Sequence, residues 1–136
     1  MSFISSDDDW KTEVFKLLIK LNSKKESEFF REPVNWEELG LLDYPKIIKN
    51  PMDLQTVKYN LEGGLYRNEA EAAADIRLIT LNAMTYNSPG SRVYVHAKSL
   101  SDFFESNSYT IFRNMEDLDK PANNDEMTHF VDKCHR

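Results

Sequence analysis

Apolar residues recur at helical spacing in separate segments of this chain, and this pattern constrains the fold more than any other feature of the sequence. The first such stripe consists of Trp10, Val14, Leu17, Leu18 and Leu21. Apolar residues spaced three or four positions apart lie on one face of an α-helix. Acidic residues precede this stripe and lysines follow it, an order that suits the helix dipole. The pattern predicts an amphipathic first helix over about 8–27.

Three further helices are predicted downstream, each with its own start and stop signals. Asp53 can cap a short helix, which the glycine pair at 63–64 would end. Asn68 and Glu71 resemble a capping box ahead of a long helix, and Pro89 stops that helix. The apolar faces of the short, the long and a final helix consist of Leu54, Val57 and Leu61; of Ala72, Ile76, Ile79, Ala83 and Tyr86; and of Val93, Ala97, Leu100, Phe104, Ile111 and Met115. Because we find no strand pattern of any length in the sequence, we predict an all-α bundle.

A long stretch without a sustained hydrophobic period separates the first two predicted helices, at about 28–51. It contains three prolines and one glycine. Connections of this length are uncommon inside a compact domain and are usually functional. We therefore expect this segment to contribute to a functional site.

Charge and cysteine content narrow the kind of partner and of compartment. The chain has 17 basic and 23 acidic residues, for a formal charge of −6. A protein that grips a nucleic-acid backbone needs a basic face, so a basic peptide is a better candidate partner than nucleic acid. The single cysteine, Cys134, cannot form an internal disulfide, which is typical of a reducing compartment. No apolar run reaches the roughly 20 residues of a membrane helix, and the acidic N-terminal segment is unlike a signal peptide. We expect a soluble, intracellular, single-domain chain.

Two segments of the sequence resemble the bromodomain family. Residues 43–54 (DYPKIIKNPMDL) resemble the family's segment that ends the long loop and opens the next helix. Residues 82–91 (NAMTYNSPGS) resemble the end of its third helix and the loop after it. The resemblance implies a left-handed four-helix bundle with a long loop between the first and second helices. We expect this bromodomain over residues 8–118, followed by a polar C-terminal tail over residues 119–136.

The resemblance also implies a pocket for acetyl-lysine at one end of the bundle. By the family pattern, Asn87 hydrogen-bonds the acetyl carbonyl directly, and Tyr44 reaches it through an ordered water. The other residues expected in the pocket are its floor, Phe30; its walls, Pro33, Val34, Leu39, Leu41, Tyr86 and Val93; and Phe29, which stands at the position of a shelf.

The chemistry of acetyl-lysine asks for such residues. Acetylation removes the charge of lysine and leaves a neutral amide that ends in a methyl group. An apolar pocket with one neutral donor, the Asn87 amide, is therefore selective. Burying an unpaired ammonium there costs several kcal/mol. Because few groups are buried, we expect weak binding, with a Kd of about 10 μM to 1 mM.

Two parts of the sequence depart from the common family pattern. Glu28 and Phe29 replace the Trp-Pro pair that usually shields the lysine stem. Arg92 stands where some members carry an acidic residue, and its charge would oppose a basic residue beside the acetyl-lysine. The long loop itself is acidic, through Glu28, Glu32, Glu37, Glu38 and Asp43. The flanking preference of the peptide therefore stays open at this point.

Each of these residues also has a simpler structural interpretation. Asn87 could bond only the local backbone at a helix end, and Tyr44 could be a half-buried tyrosine of the loop. Phe29 could belong to the core instead of a shelf, and ordinary core is also the alternative for four wall residues, Val34, Leu39, Leu41 and Val93. The C-terminal residues His129, Cys134 and His135 lack the fourth ligand and the spacing of a structural zinc site, so we predict no metal and no cofactor. No catalytic constellation is recognisable, so an enzyme is not predicted.

The sequence thus predicts a non-catalytic reader of acetylated histone tails, monomeric as an isolated domain, in a nuclear protein that regulates chromatin and transcription. We expect no direct contact with nucleic acid or membrane. The alternative is a bromodomain-like bundle that has lost acetyl-lysine binding and acts as a protein–protein assembly surface.

Overall fold

The computed structural model describes the backbone of residues 6–119 and the side chains of residues 10–109. These residues form five α-helices and one 3-10 helix. The elements are α1 (Ser6–Ser23), the 3-10 helix (Lys25–Phe30), α2 (Tyr44–Ile47), α3 (Leu54–Glu62), α4 (Glu69–Tyr86) and α5 (Arg92–Asp119). No strand occurs in this part of the chain, and the all-α prediction is confirmed. The polar tail after residue 119, with its three candidate metal ligands, lies outside the described residues.

The four longer helices pack into a bundle around one core. Helix α1 lies against α3, α4 and α5, and α4 also lies against α3 and α5. Each of these helices supplies a completely buried residue; the four are Leu21, Val57, Ala72 and Ala97. All five residues of the first predicted stripe are buried, as the helical spacing requires. Burial of each large apolar side chain contributes about 1.5–3 kcal/mol to folding.

The first helix ends earlier than predicted, at Ser23 instead of residue 27. Lys24 adopts an extended conformation (φ −78°, ψ 140°), and the 3-10 helix begins at the next residue. The buried Ser27 hydroxyl donates to the carbonyl oxygens of Lys24 at 2.7 Å and Asn22 at 3.1 Å. The contact with Asn22 satisfies a carbonyl that the end of α1 leaves without a helical partner. The prediction of continuous helix to residue 27 is wrong because this side-chain bonding replaces the helical pattern.

The long loop contains one turn of helix that the sequence analysis missed. Helix α2 (Tyr44–Ile47) has Pro45 in its first turn, where proline is well tolerated because the amide there needs no partner. The same proline had been interpreted as a sign of irregular structure. The turn buries the Tyr44 side chain, so it contributes directly to the position of a predicted site residue.

Helices α3 and α4 begin and end where their capping signals predict. The Asp53 carboxylate accepts the Thr56 amide at 2.9 Å, and α3 ends at the glycine pair 63–64. The Asn68 side chain accepts the Glu71 amide at 3.0 Å. The Glu71 carboxylate accepts the backbone amide of Arg67 at 2.6 Å, one residue earlier than in a regular capping box. These local bonds set the start of α4, whose other end carries the candidate site.

Candidate functional site

A cleft of about 460 Å³ opens at the end of the bundle where α4 ends and α5 begins. Its walls come from the 3-10 helix, the long loop, α2 and the junction between α4 and α5. All ten residues predicted for the site line this cleft; they are Phe29, Phe30, Pro33, Val34, Leu39, Leu41, Tyr44, Tyr86, Asn87 and Val93. The fold therefore brings together residues from four separate elements of the chain.

Several further residues line the cleft that the sequence analysis did not assign to it. They are Glu28, Arg31, Glu32, Asn35, Met52, Ile79, Asn82 and Ala83. Ala83 and Ile79 lie one and two helical turns before Asn87, so the helical period could have identified them. Met52 lies inside the segment 43–54 that carries the resemblance. Asn82 lies inside the other such segment, 82–91, and Glu28 stands at the position of the shelf. Only Arg31, Glu32 and Asn35 have no sequence signal of their own.

The Asn87 side chain is held in place by the end of α4. Its backbone amide and its Nδ2 both donate to the carbonyl oxygen of Ala83, at 3.0 and 2.9 Å. A carbonyl oxygen can only accept, so this contact determines which side of the amide is nitrogen. The simpler interpretation of Asn87, a local backbone bond, is therefore observed. It uses one hydrogen of Nδ2, and within the described residues the second hydrogen and Oδ1 have no partner, so both can serve a ligand.

Tyr44 lines the same cleft as Asn87, and its hydroxyl is neutral. Its side chain is only 7% exposed, and its ring meets that of Tyr86 edge-on, with centroids 4.9 Å apart and planes at 65°. Burial raises the pKa of Tyr44 because a buried phenolate loses its hydration. Among the described residues no group hydrogen-bonds the Tyr44 hydroxyl. It can therefore bond a water or a ligand as an uncharged group.

Side-chain hydrogen bonds fasten the long loop to α4. The Tyr86 hydroxyl donates to Asp43 at 2.6 Å, and this bond raises the pKa of Tyr86. Asn82 Nδ2 donates to the backbone carbonyl of Asn50 at 2.8 Å. The partners lie 43 and 32 positions apart in the sequence, so no local signal could have predicted the pairs. These bonds hold the two sides of the cleft at a set distance.

Hydrogen bonds of Arg31 hold the start of the long loop in place. Its guanidinium donates to the Lys24 carbonyl and to the Ser27 hydroxyl, both at 2.9 Å. Its own backbone carbonyl accepts the Gln55 amide of α3 at 3.1 Å. Arg31 therefore links the residue between α1 and the 3-10 helix, the 3-10 helix itself and α3, and its charge is engaged on this scaffold.

The two consecutive phenylalanines of the 3-10 helix take different places. Phe30 is 5% exposed and belongs to the core as well as to the cleft floor. Phe29 is 37% exposed and lies at the cleft edge, where its ring is 5.9 Å from that of His96. Leu39 is 64% exposed, so it lies at the open rim of the cleft.

The chemistry of the cleft suits a neutral ligand. Its inner lining is apolar, through Phe30, Val34, Ile79, Ala83 and Val93. Of its ionisable residues, Glu28 and Glu32 are exposed to solvent.

No group of three or more potential metal ligands occurs among the residues that the structure describes. Within the same residues, no helix combines the length and the apolar character needed to span a membrane.

Comparisons with known proteins agree with this architecture. The family model described as Bromodomain matches residues 13–99, more than half of the chain. The chain is similar to three proteins of Arabidopsis thaliana: Transcription factor GTE2 (48% identical over 90 residues), Transcription factor GTE9 (49% over 89) and Transcription factor GTE1 (40% over 104). The matches cover 66%, 65% and 76% of this chain but only 16%, 13% and 27% of those proteins. The chain thus spans less than a third of the length of these curated relatives, and it belongs to the bromodomain family.

Proposed function

We propose that this bromodomain is a non-catalytic module that binds acetyl-lysine, with acetylated histone tails as its main partners. The observation that supports this most directly is the geometry of Asn87. A neutral amide, already held by the Ala83 carbonyl at 2.9 Å, stands in a cleft with apolar walls. In this proposal its second Nδ2 hydrogen is donated to the acetyl carbonyl. Little conformational entropy is lost on binding because the side chain is held beforehand.

Tyr44 completes the polar part of the proposed site. Its hydroxyl is protonated at neutral pH, because the ordinary pKa of tyrosine is already 10.0 and burial raises that of Tyr44, so it can donate to an ordered water that in turn bonds the acetyl oxygen. Such a bridging water is nearly as favourable as a direct hydrogen bond. The apolar lining then receives the acetyl methyl group and the lysine methylenes.

Selection against unmodified lysine follows from charge. The inner lining of the cleft contains no carboxylate, since its acidic residues, Glu28 and Glu32, are solvent-exposed. An ammonium in the position of the acetyl group would lose its hydration without gaining an ion pair, at a cost of several kcal/mol. The acetylated side chain has no such cost, so the discrimination arises largely from rejection of the charge.

The binding of a single acetyl-lysine is expected to be weak. Four methylenes and one methyl contribute about 0.8 kcal/mol each, and the hydrogen bond adds about 1 kcal/mol. Ordering the lysine side chain and associating two molecules oppose this gain. We therefore place the Kd at about 10 μM to 1 mM, and the tighter end of this range needs further contacts from the flanking peptide. Simultaneous binding of several sites would raise the effective affinity.

The charge of the chain and its relatives support the choice of partner and compartment. A net charge of −6 favours a basic tail as the ligand over nucleic acid. The similar plant proteins are named transcription factors, which supports a nuclear role in chromatin and transcription regulation. We further propose that the bromodomain covers residues 8–118 and acts as a monomer.

The test is the binding of acetylated and unmodified histone-tail peptides to the wild type and to Asn87→Ala. Losing the donor leaves the acetyl carbonyl without a protein partner, so we expect the Kd to rise by about 5- to 100-fold. Asn107→Ala is the matched control, because Asn107 Nδ2 donates to the carbonyl four residues earlier, at 2.8 Å, exactly the kind of bond that Asn87 makes. Asn107 lies about 22 Å along α5 from its first residue, away from the cleft.

Circular dichroism and thermal melting must first establish that both variants fold. Acetyl-dependent binding that is lost in Asn87→Ala and kept in Asn107→Ala supports the proposal. If the folded wild type binds no acetylated peptide, the proposal is refuted, and the alternative of a protein–protein assembly surface takes its place.

A further inference from the structure

Arg92 differs from the other arginines whose side chains the structure describes. The other three all donate to protein oxygens: Arg31 to Lys24 and Ser27, Arg67 to Glu71, and Arg77 to Glu105. Arg92 makes no hydrogen bond or ion pair with any described residue. Its guanidinium lies over the ring of Phe29, with Cζ 5.5 Å from the ring centroid. The donors of Arg92 are therefore not used by any residue whose side chain the structure describes.

The guanidinium of Arg92 lies next to residues that line the cleft. Arg92 is the first residue of α5 and is exposed, and both its contact Phe29 and its neighbour Val93 line the cleft. The Phe29 ring is itself supported by His96, at 5.9 Å between centroids. A cation over an aromatic ring is held by the ring face. Because no described residue uses them, the N–H groups of the planar guanidinium can donate to an anion in a forked contact.

We infer that Arg92 determines flanking specificity in this bromodomain, by favouring peptides with an anionic side chain, a carboxylate or a phosphate, next to the acetyl-lysine. This inference rests on the proposed acetyl-lysine binding. The exposed carboxylates of Glu28 and Glu32 lie in the same cleft and favour basic residues elsewhere along the peptide. Neither pairs with Arg92, so they do not cancel its charge at short range.

The experiment uses one acetylated peptide in versions that differ only at the residues before and after the acetyl-lysine. Each of these positions carries glutamine, glutamate, phosphoserine or lysine in turn. The Kd of each version is measured by fluorescence anisotropy for the wild type, Arg92→Gln and Arg67→Gln. Arg67→Gln is the matched control, because it removes the same charge near the start of α4. That helix has 18 residues, so its start lies about 27 Å from its cleft end.

At one of the two positions, we expect the wild type to bind the glutamate version about two- to fivefold more tightly than the lysine version. The phosphoserine version should bind at least as well as glutamate, because it carries more charge. Arg92→Gln should bring the glutamate-to-lysine ratio close to one, while Arg67→Gln leaves it unchanged. Phe29→Leu, which keeps an apolar side chain but removes the ring, should reduce the preference. High salt should also reduce it, since exposed charges are screened.

The glutamine version separates the two proposals. If it binds but the wild type shows no preference for the anionic versions at either position, the inference about Arg92 is overturned while acetyl-lysine binding stands. The same holds if Arg92→Gln keeps the preference. If no acetylated version binds at all, the proposed function fails and the inference fails with it.

Discussion

Ser27 connects the end of α1 to the loop that forms the cleft, so substituting it tests whether its hydrogen bonds hold this junction together. The Ser27 side chain is completely buried. Its hydroxyl donates to the Lys24 carbonyl at 2.7 Å and accepts from Arg31 Nε at 2.9 Å. Ser27→Ala removes both bonds, and with them the longer contact to the Asn22 carbonyl at 3.1 Å, while barely changing the volume of the side chain. The variant therefore reports on the hydrogen bonds and not on packing.

The magnitude follows from the kind of each bond. The neutral bond contributes about 1 kcal/mol, and a bond to a charged group about 1.5–3 kcal/mol. Arg31 is only half-buried and keeps its bond to the Lys24 carbonyl at 2.9 Å, so the second term lies at its low end. We expect a loss of about 2 kcal/mol in the free energy of unfolding. For a domain of this size it corresponds to a fall in Tm of roughly 6–10 °C.

Urea unfolding followed by circular dichroism measures this loss. Ser23→Ala is the control, because the Ser23 hydroxyl also donates to a backbone carbonyl, that of Lys20 at 2.8 Å, but on the exposed surface. Its effect should stay within about 0.5 kcal/mol. If Ser27→Ala is no more destabilising than Ser23→Ala, then Ser27 does not hold this junction and the argument is refuted.

Two further predictions concern tyrosines. Burial raises the pKa values of Tyr44 and Tyr66 above the ordinary value of 10.0, and the bond from Tyr66 to Asp75 raises that of Tyr66 further. The stability that these groups contribute is fully present below about pH 10, the ordinary pKa of the unfolded state, and is lost as the pH rises towards the raised pKa values of the folded state. Urea midpoints should therefore fall from about pH 10 upwards, and less steeply for Tyr66→Phe; equal slopes would contradict this. Tyr86→Phe removes the bond to Asp43, and we expect this variant to bind acetylated peptides more weakly. Circular dichroism should show that the fold is retained. Unchanged affinity would show that this bond does not hold the two sides of the cleft in position.

Some features of the fold were predictable because they depend on short-range geometry. The apolar stripes and the caps at Asp53 and Asn68 involve residues three or four positions apart, which the helical backbone brings together wherever the helix lies. The end of α1 was not predictable in the same way. Its position depends on Ser27, whose buried hydroxyl bonds Arg31 as part of a packed junction. The local sequence around Lys24 is equally compatible with continued helix.

The same distinction between short-range and long-range interactions applies to the candidate site. The residues lining it could be predicted from the two segments that resemble the bromodomain family, and all ten line one cleft. The resemblance contained no information on the bond between Tyr86 and Asp43. It also left open whether Phe29 belongs to a shelf or to the core, and where the charge of Arg92 lies.

By itself, the sequence determined the helical class, the approximate helix bounds, and the group of residues that forms the cleft. Only the tertiary structure decided the early end of α1, the extra turn at α2 and the contacts across the cleft. The physical reason is the range of the interactions. Helical period and capping are set within one or two turns of backbone. The partners of Tyr86 and Arg92 are distant in sequence, and they meet only because the whole core determines how the helices pack.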